Sequence, residues 1–345
     1  MELLDRGSQN RRFTIIKLSP EKNFMRCPRL RSLIVTTPLI LSALLCLSEI
    51  IFAKSDARPA KSVQSRVRSE MLVSTDWLSK HLGERDVSVI HVAAERKNFD
   101  DGHIPGARFL SSKEILTTRN GVANELPAVA DLQKVFEQLG VGDTGRIVIY
   151  GENSGLLAAR VYFTLDYLGH GDRAALLDGG IEKWKAEKLP IETQAAKTEP
   201  ARFTPRPQPQ IVAELDAMRA ISRKAATADD PGVAIIDARP EEQYVGDQTQ
   251  RGGHIPGALN IYWVTHLLSR ENPTMKPPSE LSRIYEAAGL KAGQKAVTYC
   301  NTGMQASQAY FTLKYLGYDV MMYDGSFSEW SSDAGAQIVK GKERK

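Results

Sequence analysis

Short apolar runs alternate with amphipathic stretches along most of the chain. In the C-terminal part, "LDAMRAISRK" has the spacing of a helix, "VAIIDAR" reads as a buried strand, "ELSRIYEAAGL" as helix, "KAVTYC" as strand, "QASQAYFTLKYLG" as helix and "DVMMYDG" as strand. Short β-rich runs separated by helices predict an α/β fold built on a mainly parallel sheet flanked by helices on both faces. In such a sheet chemistry gathers at the carboxyl ends of the strands, where Cys300 stands.

The pattern occurs twice. "GHIPGA" at 102–107 returns at 253–258, "YFTLDYLG" at 162–169 returns as "YFTLKYLG" at 310–317, and "DGGIEKW" at 178–184 returns as "DGSFSEW" at 324–330. The order is kept and the offsets, 151, 148 and 146, are nearly constant, so two copies of one domain are expected, over 66–195 and 211–340. The proline-bearing stretch 196–210 suits an extended linker.

The N-terminus reads differently. Arg26, Arg29 and Arg31 precede an apolar run over 33–53 that ends in a small residue, the layout of a secretory leader over 1–55, with Met25 as an alternative start. The expected location is therefore periplasmic or secreted. An uncleaved anchor formed by 33–53 is the alternative, since Glu49 sits near the end of the run and a long segment precedes it. The net charge of +4 equals the excess of basic over acidic residues within 1–53, which leaves the rest neutral and gives no reason to expect nucleic acid as a partner. With 345 residues, 42% hydrophobic and 25% charged, the chain has ample core for two domains. Of its three cysteines, Cys27 and Cys46 lie in the leader, so a mature chain holds only Cys300, which excludes an internal disulfide.

Cys300 opens "CNTGMQAS", where a strand must turn at once into a helix. Gly303 permits the turn, and the N–H groups of the loop lack helical partners and form one cup. A thiolate there gains several donors and the positive end of the helix dipole, which is expected to lower its pKa. A buried structural cysteine is the alternative, and the strand-to-helix position argues against it. A phosphatase-type loop needs an arginine where Ala306 stands, and a thioredoxin-like site needs a second cysteine where Gly303 stands.

"CNTGMQAS" resembles the C-x-x-G-x-x-A-[ST] loop of the rhodanese sulfurtransferases, and "GHIPGA" and the late "DGG-x-x-x-W" are similar to signatures of that family. The resemblance spans about 66–340. It implies two rhodanese-like domains with the second catalytic, a pocket between them, and Cys300 carrying a sulfane sulfur as a persulfide. It also implies a small sulfur donor and a thiophilic acceptor, with no cofactor. Substrate contacts are expected from Asn301, Thr302, Gly303, Met304, Gln305 and Ala306. Within the family the arginine of a "D-x-R" segment holds anionic substrates, so Arg239 is the candidate, with a local Asp237–Arg239 network as the alternative; Arg251 is a weaker second cation.

In the first copy Gly151 or Glu152 stands where Cys300 would be, so that copy is expected to be non-catalytic and to wall the pocket. His103 and His254 recur in both "GHIPGA" turns, which favours structural hydrogen bonds; Trp184 and Trp330 read as core, and Trp263 as a residue that borders the pocket. No cluster has metal-ligand spacing. Thiosulfate is the expected donor. The alternatives are 3-mercaptopyruvate, or a non-catalytic module that delivers sulfur to a protein partner. The chain is expected to act as a monomer.

Overall fold

The computed structural model describes residues 67–151, 154–228, 231–246 and 252–344. The segment 1–55 read as a leader, Glu152 and Arg251 lie outside the described residues, among which no helix is long and apolar enough to cross a membrane.

The first half contains strands β1 (Leu72–Val73), β2 (Val87–Ala93), β3 (Arg108–Ser111), β4 (Thr117–Arg119), β5 (Val122–Glu125), β6 (Arg146–Gly151) and β7 (Ala174–Leu177). The second contains β8 (Val233–Asp237), β9 (Ala258–Asn260), β10 (Lys295–Tyr299) and β11 (Val320–Met322). The first sheet has the order β1-β7-β6-β2-β3 and the second β11-β10-β8-β9, and every pairing in both is parallel. β4 and β5 form a separate antiparallel hairpin. The predicted parallel α/β architecture is thus the one observed. The edge position held by β1 in the first sheet shrinks in the second to one bridge, Val212 to Met322.

Central strands such as "RIVIYG" carry apolar residues on both faces because helices cover both. The helices Leu156–Tyr167 and Met304–Tyr315 are buried around most of their circumference, as an apolar helix with no extended polar face must be. They lie against each other, and their contacts obey a local two-fold relation. Tyr162 meets Phe311 edge-on with centroids 4.8 Å apart, and Phe163 meets Tyr310 edge-on at 5.0 Å; such pairs contribute about 0.5–1.5 kcal/mol each. Each partner is related to its counterpart by the same 148-residue offset found in the repeat. The one charge by which "YFTLDYLG" and "YFTLKYLG" differ is paired across this seam: Lys314 Nζ and Tyr310 Oη, the latter at 2.5 Å, both donate to Asp166 Oδ2.

The signature turns are structural in both halves. His103 Nδ1 lies 2.8 Å from Phe99 O, and His254 Nδ1 lies 2.9 Å from Tyr244 O, each ring stacked on the aromatic residue that supplies the carbonyl. Trp184 and Trp330, both buried, donate Nε1–H to Pro190 O and Gln337 O at equivalent places. Trp263 is buried in the core that also contains Cys300.

Candidate active site

β10 delivers its chain end at Tyr299, and the next four residues turn into the helix that begins at Met304. Gly303 makes this turn at φ +77°, and a Cβ there would stand 2.7 Å from Asp324 Oδ1 and 3.1 Å from Arg160 Nη1. Only glycine fits. Thr298 Oγ1 ties strand to helix by donating to Ala306 O at 3.1 Å, and Ser307 Oγ donates to Gly303 O at 2.9 Å.

Cys300 is 1% exposed. Burial pushes its thiol above the ordinary value, while the main-chain N–H groups of Ala306, Thr302 and Gln305, directed at the sulfur, pull the other way. The cup predicted from sequence is present, but the predicted direction of the shift is corrected: stripping water from a closed-in thiol outweighs three N–H donors.

Ser326 anchors this loop, and sequence reasoning did not single it out. Its Oγ accepts from Cys300 N at 3.2 Å and Gly303 N at 3.0 Å and donates to Tyr323 O at 2.9 Å. The residue sits at φ +53°, where the first copy places Gly180 at φ +58°. A side chain is thus retained in a left-handed conformation at the turn that binds the main chain of the Cys300 loop. The signal was readable as "DGS" against "DGG".

Arg239 is 2% exposed. Its Nε and Nη2 bond to Asp237, Nη2 also donates to Gly253 O at 2.8 Å, and the guanidinium lies over the Phe327 ring at 4.1 Å. The local Asp237–Arg239 network is therefore formed, with Tyr299 Oη donating to Asp237 Oδ2 at 2.5 Å as a third member. Nη1 reaches the loop at Asn301 Oδ1, 3.4 Å away, and Asn301 Nδ2 donates to Gln243 Oε1 at 2.8 Å. Thr302 Oγ1 faces the first half, Met304 opens the helix, and Gln305 and Ala306 present their amides to the sulfur.

A buried ion pair joins the halves behind the loop. Arg160, wholly buried in the apolar helix of the first half, grips both oxygens of Asp324, at 2.5 and 3.2 Å, and Leu126 N donates to Asp324 Oδ2 at 2.8 Å. A cavity of ≈ 490 Å³ adjoins Asp324, with Arg119, Tyr167 and Glu214 among its lining, but no residue of 300–306 lines it. At the matching strand ends of the first half, Gly151, Asp178 and Gly180 are covered by Leu267, Pro273 and Met275, with a cavity of only ≈ 20 Å³. Met275 N donates to Asp178 Oδ1 at 2.9 Å, mirroring the bond of Leu126 to Asp324.

Comparison with known proteins gives this geometry a context. The profile of the rhodanese-like domain matches residues 74–187 and 222–333. The "Sulfur carrier protein TtuD" of Thermus thermophilus is 33% identical over 289 residues, covering 79% of this chain and 98% of the relative. A Haloferax volcanii protein named "Putative thiosulfate sulfurtransferase" is 30% identical over 291 residues, covering 79% and 97%. Among solved structures, SseA from Escherichia coli, described with the 3-mercaptopyruvate sulfotransferases and their rhodanese fold, superposes with a TM-score of 0.66 at 25% identity, covering 74% of this chain and 98% of that one. Two rhodanese-like domains in tandem, one of them carrying a cysteine in a strand-to-helix cup, place this chain in the rhodanese family of sulfurtransferases.

Proposed function

We propose that this protein moves a sulfane sulfur from thiosulfate to a thiophilic acceptor, cyanide or a thiol, through a persulfide on Cys300. The thiolate attacks the outer sulfur of thiosulfate; the new S–S bond forms as the old one breaks, and the electron pair leaves with sulfite. The acceptor then attacks the outer sulfur of the persulfide, and the pair returns to Cys300 as thiolate. The observation that carries this reading is the convergence of three main-chain N–H groups on a thiol at a strand end, a cup that serves a persulfide anion as well as a thiolate. The segment Asn301, Thr302, Gly303, Met304, Gln305 and Ala306 forms the cup, and Arg239, which meets it through Asn301, is the proposed contact for the anionic end of the donor.

The Haloferax name supports thiosulfate. The likeness to SseA supports 3-mercaptopyruvate as the second reading, with pyruvate leaving in place of sulfite, and the Thermus name supports delivery to a protein acceptor. Steady-state assays of the purified protein with cyanide as acceptor separate the three. A larger kcat/KM with thiosulfate is expected; a larger value with 3-mercaptopyruvate reassigns the donor, and negligible turnover with both favours delivery. We further propose export, with a mature N-terminus between Ala53 and Ala60; N-terminal sequencing that finds Met1 or Met25 intact on cytosolic protein would refute it.

A further inference from the structure

Among the described residues, a side chain of the half without a thiol hydrogen-bonds the catalytic loop. Asn124, in the hairpin strand β5, donates Nδ2–H to Thr302 Oγ1 at 2.9 Å across 178 residues of sequence. Its backbone stands at φ +66°, a left-handed conformation that any side chain except glycine enters at a cost. Arg160 Nη2 holds it there by donating to Asn124 O at 2.8 Å, while the same guanidinium grips Asp324. The first half thus holds the Thr302 side chain, while the Thr302 N–H faces the Cys300 sulfur.

We propose that Asn124 is a positioning residue for sulfur transfer, which through Thr302 Oγ1 orients the peptide whose N–H faces Cys300, so that one half tunes the thiol of the other. The proposal rests on the reading of Cys300 as nucleophile. If the bond merely fastened the halves together, its loss would move stability and leave the thiol's reactivity unchanged.

Three variants separate these roles. Asn124→Gly removes the side chain while keeping the left-handed backbone free of strain, Thr302→Val removes the acceptor at nearly constant volume, and Thr302→Ser keeps a hydroxyl. Asn124→Gly and Thr302→Val should each lower kcat with thiosulfate about threefold to tenfold, the worth of one hydrogen bond, with KM changed less than about twofold. Both should shift the pH profile of Cys300 alkylation by iodoacetamide to higher pH. The double variant should lose no more than either single one, because both break the same bond, and Thr302→Ser, which keeps the hydroxyl, should retain more of kcat than Thr302→Val. Unchanged kcat and an unchanged alkylation profile in Asn124→Gly, with only a lower Tm, would overturn the proposal, as would losses that add in the double variant. Alkylation is read without turnover, so this failure is distinct from that of the nucleophile assignment, which substantial turnover by Cys300→Ser would remove.

Discussion

The Asp166–Lys314 pair offers a quantitative test of how the two halves meet. Asp166 Oδ2 accepts from Lys314 and from Tyr310 Oη, and the two charged side chains are only 12% and 21% exposed. Replacing Asp166 by Lys removes a largely desolvated pair and sets two ammonium groups face to face. Breaking a fully buried pair costs about 3–5 kcal/mol, and the residual exposure here reduces that to about 2–4 kcal/mol. For an ordered unit of this size such a loss lowers Tm by roughly 5–12 °C. Lys314→Asp alone should behave similarly. In the double exchange Asp166→Lys/Lys314→Asp the charges trade places across the local two-fold relation, and the new carboxylate comes beside Tyr162, whose hydroxyl has no hydrogen-bond partner among the described residues and occupies the place equivalent to that of Tyr310. Most of the lost stability should return, giving a coupling of about 2 kcal/mol or more in a double-mutant cycle followed by calorimetry or urea unfolding. Additive losses in the double variant would refute the two-fold geometry of this seam.

Other consequences follow from the site. Because burial holds the Cys300 thiol above its ordinary value, the thiolate is the minor form at neutral pH, and alkylation of Cys300 should accelerate about tenfold per pH unit from pH 7 to about 8.5; a plateau below pH 7.5 would show that the amides win after all. Ser326→Gly relieves about 1 kcal/mol of left-handed strain but strips two buried amides of their acceptor, so a net loss of about 2 kcal/mol is expected, with slower Cys300 alkylation; a more stable variant with unchanged reactivity would dismiss Ser326 as anchor. Arg239→Ala leaves Asp237 buried without its cation, so Tm should fall, and the KM for thiosulfate should rise more than that for cyanide; equal effects on both KM values would take Arg239 out of donor binding.

Much of this was readable in the residues. The duplicated segments announced two like domains, and the strand-and-helix alternation announced the parallel sheet. Boundaries moved where local chemistry intervened. The helix expected from Glu280 begins at Pro278, which suits a first helical turn, and the strand expected to run through "DVMMYDG" is confined to Val320–Met322. What could not be read depends on docking. Arg160 is one of two charges in an otherwise apolar helix and invites a buried partner, yet nothing near it in sequence identifies Asp324, 164 residues away. Asn124 looks like an ordinary turn residue until Thr302 is placed against it. The donors around Cys300 were visible in the loop motif, whereas the burial that reverses the shift of its thiol arises only when the neighbouring elements close over it.

The persulfide itself is the most direct object to measure. The purified protein would be treated with thiosulfate, freed of excess donor and mapped by peptide mass spectrometry, before and after cyanide. The peptide bearing Cys300 should gain the mass of one sulfur atom and lose it to cyanide, while the same peptide of Cys300→Ser gains nothing. A Cys300 peptide that stays unmodified while the protein turns over thiosulfate, or a serine variant that still transfers sulfur, would contradict the account.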